Sequence, residues 1–251
     1  LLQPFFPSAD YFFSFNSPSW SLGCEQLFYF CFPLIVPFLH TKRSLFITLL
    51  ICLPIMLAGM YLTNEEQIKA YWYVNPFTRL PDFFVGVLLY QFYRSLCNKK
   101  LSYSTGTLLE AGAVALFLLF FLCAADIPKV YRYSCYYWLP VSLIILIFAL
   151  QQGGISRLLS NRFLIIGGEI SYSFYLIHLF IIDAYMRMSA HYHWQIQWTI
   201  SVPVILCITI ILSLLSFYYF EKPANKWVKR IFTKKTIINQ PHGIINKNTT
   251  N

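Results

Sequence analysis

The stretch that decides the fold is WSLGCEQLFYFCFPLIVPFL, residues 20–39. It begins with a tryptophan, which is typical of a membrane–water boundary, and continues as a mostly apolar segment. At about 1.5 Å per helical residue, its length matches a bilayer core of about 30 Å. Glu25 lies one or two turns inside that boundary, where an acid costs a few kcal/mol unless a partner or a function retains it. Glu25 therefore indicates the mouth of a polar pocket, with snorkelling to the interface or capping of the helix as the alternative.

The composition of the whole chain agrees with a membrane protein. Hydrophobic residues make up 57% of the 251 residues and charged residues only 12%, about half the share expected of a soluble domain. Seven stretches are long and apolar enough to cross a bilayer. They are residues 20–39, 44–63, 74–93, 107–125, 133–151, 163–182 and 197–220. The sequence thus predicts an all-α, polytopic membrane helix bundle of about seven transmembrane helices.

Basic residues alternate between the connections of these spans. Fourteen of the 19 Lys and Arg residues lie in the first, third and fifth connections or after the last span. The positive-inside rule places those segments, including the C-terminus, in the cytoplasm. The same alternation argues against nucleic acid as the partner of this basic chain. We expect residues 1–230 to form the membrane domain and residues 231–251 a disordered cytoplasmic tail.

The sixth span carries a polar stripe. Ser171, Tyr175 and His178 are spaced by four and three residues and therefore share one helical face, whereas Glu169 points to another side. A histidine here could donate to a backbone carbonyl as a structural residue or serve chemistry, and its membrane location favours function.

The third span begins with a charged pair. Arg79 and Asp82 are three residues apart and can pair on a helix. An arginine at a pocket mouth would bind an anionic or polyhydroxyl ligand. The alternative is a purely structural helix start, with Pro81 in the first turn and Asp82 at the positive end of the helix.

The seven cysteines and the histidines near the sixth span give no metal signature. Most cysteines lie inside apolar spans, and no pair has the spacing of zinc ligands. His191 and His193 lie beside aromatic residues in what we interpret as an interfacial loop, with weak metal binding as the alternative. We therefore expect no metal site.

Four motifs of this chain together resemble the acyltransferase 3 family, in the family's order. They are residues 20–29 with Phe32-Pro33 (its Trp-Ser-Leu, Glu and Phe-Tyr signature), residues 79–86 (its Arg-x-Pro-acid-Phe run, with Asp82 where glutamate is more usual), residues 168–178 (its Gly-x-Ile-Ser-Tyr-Ser helix ending in histidine) and residues 220–223 (its closing Phe-Glu-x-Pro). Four ordered motifs are a much stronger signal than any one of them.

The resemblance covers Leu1 to about Trp227 but corresponds to the later part of a family domain of about ten helices. It implies that the first three helices, with the family's proposed catalytic histidine and arginine motifs, lie upstream of Leu1. A start at a leucine, on the predicted exterior side, agrees with that expectation.

The resemblance also implies an activity, namely O-acylation, often O-acetylation, of sugars of envelope polysaccharides, and with it a multi-pass location in the plasma (inner) membrane. The expected partners are membrane lipid, a carbohydrate acceptor and acetyl-CoA or another acyl-CoA as co-substrate, with no bound cofactor. The family's upstream histidine is a stronger candidate for the catalytic base than His178. Candidate catalytic residues are His178 and Glu25, and candidate substrate-binding residues are Trp20, Ser21, Arg79, Asp82, Glu169, Ser171 and Tyr175.

Two other classes of function remain open at this point. Acids and histidines inside membrane spans also serve proton relays, so a transporter or polysaccharide exporter is the first alternative. A noncatalytic membrane partner of an envelope assembly machine is the second. Transfer of labelled acetyl groups from acetyl-CoA to polysaccharide separates the enzyme from both.

Overall fold

The computed structural model describes residues 2–14, 16–38, 41–193 and 197–238, with only the backbone described for residues 9 and 233–238. Every regular element in these ranges is helical, which confirms the predicted all-α class. The helices are α1 (Ala9–Phe12), α2 (Trp20–Ile35), α3 (Lys42–Tyr61), α4 (Pro76–Leu96), α5 (Tyr103–Cys123), α6 (Lys129–Arg132), α7 (Trp138–Leu150), α8 (Gly154–Leu159), α9 (Arg162–Tyr192), α10 (Trp198–Ser216) and α11 (Lys222–Ile238). Turns of π-helix cover Lys69–Val74 and Phe217–Glu221.

Each of the seven predicted spans coincides with one of these helices. Four segments are long and apolar enough to cross a membrane: Lys42–Tyr61, Tyr103–Asp126, Arg162–Tyr192 and Trp198–Phe232. By contrast, α7 is apolar but has 13 residues, about 20 Å of helix, and α2 has 16 residues, about 24 Å. The polytopic membrane fold is therefore confirmed, whereas seven crossings remain a prediction.

Helix α4 begins at Pro76, close to the start of the predicted span 74–93. The Asn75 side chain caps it by accepting a hydrogen bond from the backbone N–H of Phe77 at 2.9 Å. Pro76 is the first helical residue, where its missing N–H costs nothing. Pro81 thus lies inside α4, and a helix start at Pro81 is the wrong explanation of the Arg79-Leu80-Pro81-Asp82 run.

The residues form two compact units, Leu1–Ile165 and Ile166–Asn251. In the first, α4 packs against α2, α3 and α7, while α5 packs against α7 and α8. Leu45 of α3 and Phe84 of α4 are buried together in one core cluster, and Met60, Trp72 and Val130 belong to a second. These contacts give α4, which carries Arg79 and Asp82, neighbours on three sides.

The second unit contains most of α9, then α10, the π-helical turn Phe217–Glu221 and α11. Tyr185 of α9 and Ser201 of α10 share a hydrogen bond of 2.5 Å between their hydroxyls. Helix α11 reaches Ile238, and residues 239–251 of the predicted tail lie outside the described residues. The predicted boundary of the tail at residue 231 and its disorder stay predictions.

A buried carboxylate that sequence reasoning did not single out joins α5 to the start of α8. Glu110 is only 1% exposed, and its oxygens accept N–H groups of Gly153 at 3.0 Å, Ile155 at 2.8 Å and Ser156 at 3.1 Å. Burying a carboxylate is costly unless such bonds compensate it, so Glu110 fixes the loop after α7. One turn before Glu110, Gly106 of α5 faces the same loop, and a Cβ there would lie 2.6 Å from the backbone oxygen of Gln152.

We expect Gly106→Ala to destabilise the protein by about 1–3 kcal/mol, because the added methyl group meets backbone that cannot move aside cheaply. The matched control is Gly112→Ala on the same helix, where a Cβ meets nothing within 4 Å. Helix propensity alone would stabilise both variants by about 0.5–1 kcal/mol. Thermal unfolding in detergent should show a fall of about 2–4 °C per kcal/mol for Gly106→Ala and no fall for Gly112→Ala. Equal melting temperatures of the two variants would contradict the close packing of α5 against the loop.

Candidate active site

Arg79 and Asp82 of α4 form the ion pair that their spacing predicted. The distance from Nη1 of Arg79 to Oδ2 of Asp82 is 2.9 Å. The two side chains are 19% and 30% exposed, so the pair is shielded from solvent without being sealed from a ligand. A pair in this setting interacts more strongly than one on an open surface.

Two aromatic residues that sequence reasoning missed hold this pair. Nε1 of Trp138 donates to Oδ1 of Asp82 at 2.5 Å, and Nε of Arg79 donates to the backbone oxygen of Tyr73 at 3.0 Å. The guanidinium also lies over the Tyr73 ring, 5.5 Å from its centroid. A guanidinium carries five N–H groups, and the bonds to the Tyr73 carbonyl and to Asp82 use two of them. Arg79 can therefore donate to a further anion.

Helix α2 brings Trp20 to the same place. The rings of Trp20 and Tyr73 lie 4.8 Å apart, and Sγ of Cys24 donates to the backbone oxygen of Val74 at 3.3 Å. These contacts fix α2 against the π-helical turn that precedes α4. The geometry therefore brings together three of the predicted site residues: Trp20, Arg79 and Asp82.

The other two candidates on α2 have different surroundings. Ser21 bonds locally, its hydroxyl donating to the backbone oxygen of Pro18 at 3.1 Å. Glu25 is exposed. In the described part of the chain, neither of them makes a hydrogen bond or ion pair with Arg79 or Asp82.

In the second unit, His178 of α9 has a defined ring orientation. Its Nδ1 lies 2.6 Å from the backbone oxygen of Tyr175, and its ring is stacked on Phe174 with an interplanar angle of 2° and centroids 6.1 Å apart. A carbonyl oxygen only accepts, so Nδ1 carries the proton in this bond, and in the neutral ring Nε2 then has the lone pair. This is the tautomer in which Nε2 can take a proton from a hydroxyl group.

The predicted polar face of α9 is partly assembled around His178. The rings of Tyr175 and His178 lie 5.9 Å apart. Ser171 donates to the backbone oxygen of Gly168 at 2.7 Å and is exposed, as is Glu169. The described contacts thus join Tyr175 to His178 but leave Ser171 and Glu169 beside them without a direct bond to the histidine.

A hydrogen bond that the sequence did not predict joins two of the family-like motifs, residues 168–178 and 220–223. Ser173 is buried on α9, and its hydroxyl lies 3.0 Å from Oε2 of Glu221 and 3.4 Å from the Ser216 hydroxyl. Glu221 is also the last residue of the π-helical turn Phe217–Glu221. Such turns are rare and often occur at functional positions, which favours a functional role for this pair. The signal was present, since both residues belong to quoted motifs, but a contact over 48 positions has no periodicity that would reveal it.

The described residues do not include three His, Cys, Asp or Glu side chains placed to hold one metal ion. His191 makes a ring contact with Tyr192 at 4.8 Å. Trp194, which follows His193, lies outside the described residues.

The chain belongs to the acyltransferase 3 family, whose acyltransferase domain matches residues 1–218. The motif resemblance is therefore confirmed over most of the chain.

Two curated relatives show how far the similarity reaches. O-acetyltransferase OatA of Staphylococcus aureus is 28% identical over 221 residues, covering 82% of this chain and 36% of OatA. Acyltransferase MdmB of Streptomyces mycarofaciens is 24% identical over 215 residues, covering 79% of this chain and 54% of MdmB. The chain thus spans about a third of OatA and about half of MdmB. No solved structure matches the chain.

Proposed function

We propose that this chain is the membrane part of an O-acyltransferase that moves an acetyl or similarly small acyl group from a cytoplasmic acyl-CoA to a hydroxyl of a cell-envelope sugar. Family membership and the relative named O-acetyltransferase support the reaction type. Membrane-length helices support a location in a membrane, which for an enzyme acting on envelope sugars is the plasma membrane, and the basic connections support a cytoplasmic C-terminus.

The observation that carries this proposal is the orientation of His178, which we place as the base although the family resemblance favours a histidine expected upstream of Leu1. Acylating an alcohol requires a base for the hydroxyl proton, and an imidazole nitrogen with a free lone pair suits that task near neutral pH. In the proposed step, the sugar oxygen attacks the thioester carbonyl while its proton moves to Nε2 of His178. The C–S bond then breaks, and the released thiolate of CoA takes up the proton.

Arg79 is proposed to bind a negatively charged or polar group of a substrate. Its remaining N–H groups suit an oxyanion, a phosphate or a sugar hydroxyl. Asp82 accepts a hydrogen bond from Trp138, which fixes its carboxylate, and its ion pair with Arg79 then positions the guanidinium. A preorganised donor of this kind is more effective than a mobile one because it needs no reorganisation during the reaction.

The remaining candidates receive supporting roles in this proposal. Trp20 supplies an aromatic face beside Tyr73, and Tyr175 orients the His178 ring through its carbonyl and ring contact. Glu25, Ser21, Ser171 and Glu169 present polar groups for an acceptor or donor.

The direct test is transfer of labelled acetyl groups from acetyl-CoA to envelope polysaccharide in membranes that contain the complete gene product. We expect label in alkali-labile ester linkage on the polysaccharide, and none in membranes lacking the gene. Polysaccharide that crosses the membrane without acquiring label would instead favour the exporter. Acetylation that requires a second enzyme, and that continues when this chain carries His178→Ala or Arg79→Ala, would favour a noncatalytic partner.

A further inference from the structure

An open groove of about 920 Å³ runs along α4 in the first unit. Its walls come from α2, the start of α3 and one face of α4. The described lining residues are Phe28, Phe32, Val36, Lys42, Asp82, Phe83, Gly86, Val87, Tyr90, Gln91, Arg94 and Ser95. From Asp82 to Arg94 the helix rises by about 18 Å, so the groove covers more than half of a bilayer core.

The middle of the groove is apolar and aromatic. The rings of Phe28 and Phe83 are stacked with centroids 5.4 Å apart, and Phe32 meets Phe83 edge-on at 5.8 Å. Val36 and Val87 extend this wall. Such a surface suits a hydrocarbon chain, whereas a sugar would need convergent hydrogen-bonding groups along its length.

One end of the groove is basic. Lys42 and Arg94 both line it there, and Nζ of Lys42 donates to the Ser95 hydroxyl at 2.5 Å while lying 4.9 Å from the Phe92 ring centroid. These contacts hold the ammonium at the rim. Both cations belong to connections that the positive-inside rule assigns to the cytoplasm. Among the described lining residues, the one carboxylate is Asp82, at the opposite end.

The floor of the groove is open at Gly86. A Cβ built on Gly86 meets nothing within 4 Å, although α4 is packed on three sides. The space above Gly86 is therefore available to a ligand, and an added Cβ there displaces no protein atom.

We infer that this groove binds an anionic phospholipid of the cytoplasmic leaflet. Its phosphate lies between Lys42 and Arg94, and one acyl chain runs over Gly86 along the wall that the stacked rings of Phe28 and Phe83 form. Charge complementarity carries the choice of ligand, because basic pockets between membrane helices on the cytoplasmic side bind anionic headgroups. Burial of the chain supplies the remainder of the binding free energy, which rises with each buried methylene group. The groove ends at Asp82 of the candidate active site, but binding of a lipid between Lys42 and Arg94 does not depend on the proposed acyl transfer.

The test compares phosphatidylglycerol with phosphatidylcholine on the purified full-length protein, using native mass spectrometry for bound lipid and the melting temperature for stabilisation. We expect phosphatidylglycerol to bind at least about tenfold more tightly. Lys42→Gln combined with Arg94→Gln should remove that preference, since each basic residue contributes a several-fold share. Both substitutions lie at an exposed rim, so folding should be unaffected.

Gly86→Leu tests the position of the acyl chain. We expect it to abolish the tightly bound phosphatidylglycerol, whereas Gly112→Leu, also at an exposed helical glycine with no atom within 4 Å, should retain it. Equal lipid binding by the two leucine variants would overturn the inference, because the lipid would then lie elsewhere on the surface. Saturable binding of palmitoyl-CoA that Gly86→Leu blocks, with no preference for phosphatidylglycerol in the wild type, would also overturn it and assign the groove to a soluble thioester.

Discussion

His178→Ala is expected to lower acyl transfer by the full-length protein at least about a hundredfold, with its amount in the membrane unchanged. A positioned general base contributes about 10²–10⁴-fold, and the described bond from Nδ1 to the Tyr175 carbonyl leaves Nε2 able to act as one. Initial rates of labelled acetyl transfer, normalised to the amount of protein, provide the measurement. The substitution removes a half-exposed ring whose described bond stays within its own helix, so loss of folding is not expected.

The matched control for this prediction is His191→Ala. His191 lies near the end of the same helix, is exposed, and touches the ring of Tyr192. We expect nearly wild-type transfer from it. A His178→Ala protein as active as the His191→Ala protein would return His178 to the structural role of bonding a carbonyl of its own helix.

Arg79→Ala is expected to reduce acyl transfer at least about tenfold, which corresponds to about 1.4 kcal/mol of lost transition-state stabilisation. The change removes the donor group and also leaves Asp82 without its cation. Arg79→Lys should rescue only part of the rate, because an ammonium cannot keep the fork geometry toward both Asp82 and the Tyr73 carbonyl. Steady-state kinetics with acceptor and acyl-CoA varied separately would show which substrate the guanidinium contacts.

A second ion pair in the chain supplies the control for Arg79. Arg187 and Asp183 lie 2.8 Å apart on α9, but their side chains are 80% and 61% exposed. Exposed pairs contribute little, so Arg187→Ala should leave both activity and protein level nearly unchanged. Equal loss of activity in the two alanine variants would indicate a general requirement for positive charge rather than a role for the Arg79 site.

The structure also shows which features a single sequence can predict. Apolar runs of membrane length predicted α2, α3, α4, α5, α7, α9 and α10, because the bilayer imposes that length, whereas α11 lies outside those runs. The pairing of Arg79 with Asp82 followed from a spacing of three residues, which a helix brings to one face. The predicted span 74–93 agrees with α4, whereas the alternative of a helix start at Pro81 is wrong, because Asn75 and Pro76 supply the start of the helix.

Contacts between distant parts of the chain could not be predicted in this way. Trp138 bonds Asp82 across 56 positions, and Glu110 bonds Gly153 across 43. Periodicity reports which face of a helix is apolar but not which partner covers it. For the same reason, family motifs drew attention to Ser173 and Glu221 separately, while only the folded chain shows them to be hydrogen-bonded.

The central claim is that acyl-CoA on the cytoplasmic side supplies an acyl group to a sugar hydroxyl through this protein, and sidedness tests it most directly. The complete gene product would be reconstituted in sealed vesicles, with labelled acetyl-CoA confined to the side of the basic connections and an oligosaccharide acceptor confined to the other. We predict labelled acetyl ester on the oligosaccharide, absent with His178→Ala and retained with His191→Ala. An oligosaccharide that remains unlabelled in vesicles shown to contain folded, correctly oriented protein would contradict the account.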